Sequence, residues 1–209
     1  MFLSVIIPYY NEKKIIKESI RKIDNFFHKK FKFEIILVND SSDNSIEQDL
    51  IKQKYTSLKI IHNKKNFGKG YSIRKGIDLS NGEIILISDA DLSTPIEQFD
   101  KLYNHYLKGN DIVIGSRSTA DANIIKKQNI FRISAGRIFN ISVFLFTGLN
   151  FKDTQCGFKL FNASIIKKII IHSFINKFCI DVEILYLCKK LNYKTIEVGV
   201  EWHNDYNSS

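Results

Sequence analysis

The sequence predicts an α/β fold with a mostly parallel central sheet and helices on both faces. Three observations carry that prediction. Short runs of β-branched and other apolar residues alternate, through the first half of the chain, with longer segments whose apolar residues recur at helical spacing. The runs are apolar at consecutive positions, the pattern of strands covered on both faces. One run, Ile84-Ile85-Leu86-Ile87, stops at Ser88-Asp89-Ala90-Asp91. Those two carboxylates fall where open α/β sheets bind ligands, beyond the carboxyl ends of their strands.

The elements follow in order. Leu3 to Pro8 reads as a first strand, and Tyr9-Tyr10-Asn11-Glu12 as the loop after it. Lys13 to Phe27 carries Ile15, Ile16, Ile20, Ile23 and Phe27 at helical spacing. Glu34 to Asn39 is a second strand ending in Asp40-Ser41-Ser42-Asp43, Ser45 to Tyr55 a helix, and Leu58 to His62 a third strand. A basic, glycine-bearing loop, Asn63 to Gly70, leads into a helix from Tyr71 to Leu79. After the Ile84 strand come a helix from Ile96 to Leu107, with Ser93-Thr94-Pro95 as its start signal, and a strand from Asp111 to Gly115. Beyond Arg117 the pattern changes. Residues 118–129 are polar and basic, Arg132 to Thr147 is a long apolar helix, and Gly157 to Phe161 a strand. Ala163 to Ile170 and Asp181 to Lys190 read as helices, and Lys194 to Trp202 as a final strand. No repeat or linker divides the chain, so one domain of 1–209 is expected, with a nucleotide-type half, 1–117, followed by a half, 118–209, that builds the second wall of the site.

The totals narrow the function. The chain has 31 Lys and Arg against 22 Asp and Glu, a net charge of +9 spread over its length, which favours an anionic partner. Nucleic acid is not expected, because no aromatics are interleaved on a basic stripe and no binding motif is present. Cys156, Cys179 and Cys188 show neither disulfide nor zinc spacing, consistent with a reducing compartment. Residues 138–149 form the most apolar segment, too short to cross a bilayer. With the first strand opening at Leu3, no leader or anchor is expected. The location expected is cytoplasmic, peripheral at the cytosolic face of a membrane, and the basic start of the long apolar helix would suit lying on anionic lipid.

Four strand ends converge in this reading: Pro8 to Glu12, Val38 to Asp40, Asp89 to Asp91, and Gly115 to Arg117. Three bring acids and one an arginine, a set suited to a divalent cation between carboxylate and diphosphate with a guanidinium nearby. Hard oxygen donors point to Mg²⁺ or Mn²⁺. Neither a Walker sequence nor GxGxxG occurs, so neither P-loop phosphoryl transfer nor a dinucleotide site is supported.

Ser4-Val5-Ile6-Ile7-Pro8-Tyr9-Tyr10-Asn11-Glu12, Val38-Asn39-Asp40-Ser41-Ser42-Asp43, Asn66-Phe67-Gly68-Lys69-Gly70 and Asp89-Ala90-Asp91 resemble, in order and spacing, the motifs of glycosyltransferase family 2, which has the GT-A fold. Asp89-Ala90-Asp91-Leu92-Ser93-Thr94-Pro95 and Asp153-Thr154-Gln155-Cys156-Gly157-Phe158-Lys159-Leu160-Phe161 resemble its polyprenyl-phosphate branch, the dolichyl-phosphate glucosyltransferases first and the mannosyltransferases a step further away. The likeness runs from Ser4 to about Trp202.

The resemblance implies inverting transfer of a hexose, foremost glucose from UDP-glucose, to a polyprenyl or dolichyl phosphate. Extension of a saccharide such as a cell-surface glycan is the alternative. It implies that Pro8, Tyr10, Glu12, Val38 and Asp40 hold the nucleotide base and ribose. Asp89, Ala90 and Asp91 would hold the diphosphate through the metal, Asp91 most directly. Lys69 and Arg117 would face phosphate or sugar, and Arg132, Arg137 and Gln155 lie on the acceptor side. Ser93 stands where mannosyl relatives have a metal-assisting glutamine. Asp181 and Glu183 lie where saccharide-acceptor members keep a catalytic base. Two residues apart on a helix, these acids do not share a face. A lipid monophosphate, with a second pKa near ~6, is already an anionic nucleophile and needs no base. The relatives usually continue with a Gly-Ser-Lys element after the last strand; here the chain reads Trp202-His203-Asn204-Asp205-Tyr206-Asn207-Ser208-Ser209.

Overall fold

The computed structural model describes residues 1–42, 50, 55, 57–125 and 130–203, leaving aside the side chains of 13, 14, 130–134 and 137. The helix expected from Ser45 to Tyr55 therefore lies outside the described residues, Leu50 and Tyr55 apart.

Strands β1 (Phe2–Tyr9), β2 (Lys32–Asn39), β3 (Leu58–His62), β4 (Ile84–Ile87), β5 (Ile112–Ser116), β7 (Lys159–Asn162) and β8 (Thr195–Gly199) form one sheet in the order β3-β2-β1-β4-β7-β5-β8. All neighbouring pairs are parallel except those made by β7, which runs antiparallel between β4 and β5. A mostly parallel sheet is thus borne out, with one strand reversed at its centre. That reversal matters for the site. Lys159, at the start of β7, pairs with Ile87 at the end of β4 and with Ile114 in the middle of β5, so residues 153–158 enter at the carboxyl edge of the parallel strands.

Side chains alternate across the sheet, and each face has its own core. On one face Leu3, Val5, Ile7, Leu37 and Leu86 pack under helices α1 (Lys13–Phe27) and α3 (Phe99–Leu107). Ile16, Ile20, Ile23 and Phe27 line the buried side of α1, as their spacing requires. A single 3₁₀ turn, Ile96–Gln98, precedes α3. On the other face Ile6, Ile36, Val38, Ile85 and Ile114 lie beneath α2 (Lys69–Asp78), α5 (Ala163–Ile170) and α6 (Ile180–Lys190). Asn162 caps α5, its Oδ1 accepting from the N–H groups of Ser164 and Ile165, worth about 1 kcal/mol.

Helix α4 (Ile130–Thr147) leaves Ile138, Ile141, Leu145 and Phe146 exposed, Phe146 at 88%. No helix among the described residues is long and apolar enough to cross a membrane. The expected last strand is broken: at Val200, whose N–H still donates to the Ser116 carbonyl while its own carbonyl accepts from Asn123 N–H, the chain passes from the main sheet to β9 (Glu201–Trp202), which pairs in parallel with β6 (Asn123–Ile124), a short strand inside the polar stretch after Arg117.

Candidate active site

Three charged pairs stand at the carboxyl edge, one for each chain crossing there. Lys69, the first residue of α2, brings Nζ within 2.6 Å of Asp89 Oδ1. Arg117, just past β5, grips Asp153: Nε donates to Oδ2 at 2.6 Å, a terminal nitrogen to Oδ1 at 2.8 Å, and the backbone N–H to Oδ2 at 3.0 Å. Lys159 donates to Asp181 Oδ1 at 2.5 Å and to the Cys156 carbonyl, with both charged side chains almost wholly buried.

Their charges are mutually fixed. Burial pushes the Asp89 carboxyl up, but Lys69, then Lys159 and Arg117, hold it below the usual carboxylate range. Burial works against the charge on Lys69, yet Asp89 and Asp181 raise its pKa. Asp153 is likewise pushed up by burial and held low by Arg117. Arg117 also lies over the Trp202 ring, 5.7 Å from its centroid, which ties β9 to the site.

Asp89 and Asp91 differ in setting. The Asp89 carboxylate rests on Gly157, where a β-carbon would fall inside it. Asp91 is held by Ser93, whose N–H donates to Oδ1 at 2.9 Å and whose hydroxyl donates to Oδ2 at 2.7 Å. The chain doubles back for this through Leu92 at φ +48, a conformation that a leucine rarely adopts. Glu12 is the third acid. Its pKa is pushed up to about 7, first by burial and then by the negative charges of Asp91 and Asp89.

That crowding tests whether the site suits a cation. Among the described residues, no three His, Cys, Asp or Glu side chains form a cation cage. Asp89 and Asp91 instead offer two hard carboxylates, and Glu12 records an excess of negative charge beside them. Mg²⁺ and Mn²⁺ are commonly held by one or two carboxylates with substrate phosphates completing the shell, so this donor set fits.

Asp40 works through the backbone. Buried at the end of β2, it accepts from Asn63 Nδ2 at 2.8 Å and from the N–H groups of Phe67 at 3.0 Å and Gly68 at 2.7 Å, so it seats the loop that delivers Lys69. Of the other residues expected on the nucleotide side, Pro8 and Val38 are buried, Val38 in the core beneath α2, while Tyr10 is 46% exposed. Ala90 is buried and its carbonyl accepts from Ser19 Oγ at 2.6 Å, anchoring the Asp89–Asp91 turn to α1. Arg132 and Arg137 fall on α4 with side chains outside the described set. Gln155 has its Nε2 buried with no hydrogen-bond partner among the described residues, a donor left for something else.

The two acids of α6 point apart, and neither carboxylate is open. Asp181 is buried on Lys159. Glu183 accepts from Ser173 Oγ and from the N–H groups of Phe174 at 2.8 Å and Ile175 at 3.0 Å. Sequence reasoning gave no role to Asp153 or Lys159. The available signal was a lone lysine inside the apolar run Gly157 to Phe161, which a buried strand does not tolerate without an anionic partner. Cys156 and Cys188 are buried, Cys179 is exposed, and all three cysteines are free.

The sheet, its reversed strand and the acids at its edge define the GT-A class of glycosyltransferase fold. Mannosyl-3-phosphoglycerate synthase from Rubrobacter xylanophilus superposes with a TM-score of 0.72 at 15% identity, over 99% of this chain and 67% of that one. The mannosyltransferase PcManGT from Pyrobaculum calidifontis, solved in complex with GDP-Man and Mn²⁺, gives 0.63 at 17% identity, over 99% and 58%. The chain belongs to glycosyl transferase family 2, whose model matches residues 4–170. Its sequence is similar to dolichyl-phosphate beta-glucosyltransferases. The Dictyostelium discoideum enzyme is 35% identical over 97% of this chain and 66% of its own, and the Homo sapiens enzyme 32% identical over 96% and 67%. The chain thus spans about two thirds of the length of these relatives.

Proposed function

We propose that this chain transfers a hexose, with inversion, from a nucleotide sugar to a polyprenyl phosphate: glucose from UDP-glucose to dolichyl phosphate, with Mg²⁺ or Mn²⁺, at the cytosolic face of a membrane. The observation that carries this reading is that the acceptor-side acids Asp181 and Glu183 are both engaged, leaving neither as a proton acceptor. An acceptor that already carries an anionic oxygen needs none. A lipid monophosphate, with a second pKa of ~6, is such an acceptor, whereas a sugar hydroxyl must lose its proton to a base. The similarity to dolichyl-phosphate beta-glucosyltransferases supports the same substrate pair.

The residues then divide the work. Asp91 with Asp89 would hold the divalent ion, which supplies charge neutralisation to the diphosphate leaving group. Lys69 and Arg117 place two fixed positive charges where two anionic substrates must approach each other, aligning the attacking oxygen and stabilising the departing nucleoside diphosphate. Arg132 and Arg137 are assigned to the acceptor phosphate, and the unpaired Gln155 Nε2 to a hydrogen bond with sugar or acceptor oxygen. Pro8, Tyr10, Glu12, Val38 and Asp40 frame the nucleoside side, Val38 and Asp40 from within.

Attachment to lipid is supported by the surface. Ile138, Ile141, Leu145 and Phe146 are exposed on α4, and Phe146 also lines a groove of about 370 Å³ between α4 and α6. The segment after α5 adds exposed Ile171, Phe174 and Phe178. Large apolar side chains exposed in this number mark an interaction site. Calorimetry with UDP-glucose, GDP-glucose and GDP-mannose, in Mn²⁺ and in chelator, tests the donor. UDP-glucose binding that needs the ion supports it, and equal binding in chelator would remove the metal from the account.

A further inference from the structure

We infer that Asp181 and Glu183 are positioning residues that fix the Lys69–Asp89 pair from two sides, Asp181 through Lys159 and Glu183 through segment 173–176. This rests on the glycosyl-transfer reading above, but not on the identity of the acceptor.

The first arm stands behind Asp89. Lys159 opens β7 with its ammonium tied at once to Asp181 and to the carbonyl of Cys156, the residue before Gly157. Gly157 is the surface on which the Asp89 carboxylate rests. The charges alternate round this cluster: Asp89 feels Lys69 and Lys159, and Lys69 feels Asp89 and Asp181. Removing one member of so buried a pair strands the other charge, which is far costlier than the pair's own worth. Lys159 would then move, and Gly157 with it.

The second arm stands behind Lys69. Three donors from Ser173, Phe174 and Ile175 converge on the Glu183 carboxylate and fold that segment over the start of α2. There the Asn176 carbonyl accepts from Tyr71 N–H at 3.1 Å, and Arg74 donates to the Ile175 carbonyl at 2.6 Å and to the Asn176 side chain. The approach is so close that Gly68 and Gly70 have no room for a β-carbon; at Gly68, with φ +101, it would stand 2.6 Å from the Asn176 oxygen. Lys69 lies between those glycines. Outer contacts of this sort set the aim of a reacting group without touching substrate.

The two roles separate in steady-state kinetics. Lys159→Met and Asp181→Asn are each expected to lower kcat/KM about 100-fold, with the double variant no worse than either single, because the pair acts as one unit. The pH–rate profile keeps its wild-type shape in all three. Glu183→Gln, whose amide oxygen can still accept from two of the three donors while its amide nitrogen faces the third, falls between wild type and Glu183→Ala. Glu183→Ala raises the donor KM about tenfold with a smaller change in kcat. Three results would overturn the inference: Lys159→Met near wild type while Asp181→Asn is inactive, loss of the acidic limb in Asp181→Asn, or Glu183→Gln as poor as Glu183→Ala. Should the Lys159 and Asp181 variants fail to fold, the Glu183 comparison decides alone. All ratios use whichever acceptor the wild type glycosylates, so refusal of lipid phosphate by the wild type counts against the proposed function and not against this inference.

Discussion

Asp89 lies directly against Gly157, with no space for a side chain between the carboxylate and that glycine's backbone. The contact joins two motifs 68 positions apart in sequence, and the reversal of β7 is what brings them together. It explains why the residue before Phe158 is glycine: here close approach is required, not an unusual φ. Gly157→Ala is therefore expected to push the Asp89 carboxylate off Lys69 and to lower kcat/KM by about 100-fold or more, with the circular dichroism spectrum unchanged. Near wild-type turnover in that variant would show that the Asp89 position is not critical.

The Arg117–Asp153 pair makes a second prediction. Asp153 is 4% exposed at its side chain and binds both the guanidinium and the backbone N–H of Arg117. Asp153→Asn keeps the shape but turns an acceptor into a donor facing a cation. We expect a loss of about 2–3 kcal/mol in urea unfolding, below the 3–5 kcal/mol of fully buried pairs because Arg117 is partly solvated, and a comparable loss in kcat/KM as the guanidinium swings free.

Glu12 predicts a pH effect on stability whose sign is fixed by its raised pKa. A carboxyl at 4.5 in the unfolded chain and about 7 in the folded one binds more protons folded than unfolded between those values. Its contribution is therefore favourable below 4.5 and lost as pH rises through about 7. In metal-free buffer, Glu12→Gln should melt higher than wild type at pH 8, by ~2–4 °C for ~1 kcal/mol of relieved repulsion. The gap should close as the pH falls. A constant gap across the range would mean that Glu12 does not feel Asp91 and Asp89.

The apolar surface predicts a separable membrane function. Phe174 and Phe178 are 82% and 72% exposed on the segment whose backbone seats the Lys69 turn. Phe174→Ser combined with Phe178→Ser should weaken sedimentation with anionic vesicles by about tenfold or more, given ~1.5–3 kcal/mol for each large apolar side chain removed from water. UDP affinity in solution should stay unchanged.

The sheet was legible because fully covered strands leave consecutive apolar residues, and because Asp40, Asp89–Asp91 and Arg117 all terminate such runs. The two-faced core followed from the same pattern, with Ile16, Ile20 and Ile23 of α1 buried as their spacing required. The insertion of β7 was not legible, since a four-residue strand with only Leu160 and Phe161 apolar carries no mark of which strands it will join or in which direction. The break at Val200 was hidden for a related reason: β8 and β9 are continuous in hydrophobicity but pair with different partners. Asp91, Lys69 and Arg117 stood out by motif. Lys159 did not, because its partner Asp181 is 22 residues away, on a helix whose packing only the fold decides. Asp181 and Glu183 could be placed on different faces from spacing alone, but what occupied their carboxylates could not be read.

The central claim is that an anionic lipid phosphate, needing no protein base, is the acceptor. The most direct measurement incubates the protein with Mn²⁺ and UDP-[¹⁴C]glucose in detergent or vesicles containing polyprenyl phosphate, beside a parallel reaction offering saccharide acceptors, and partitions the label between organic and aqueous phases. The account predicts label in the organic phase as an acid-labile glucosyl phosphate, dependent on the lipid phosphate and abolished by Asp91→Ala. Label found only in a water-soluble saccharide, with none in the lipid fraction, would contradict it.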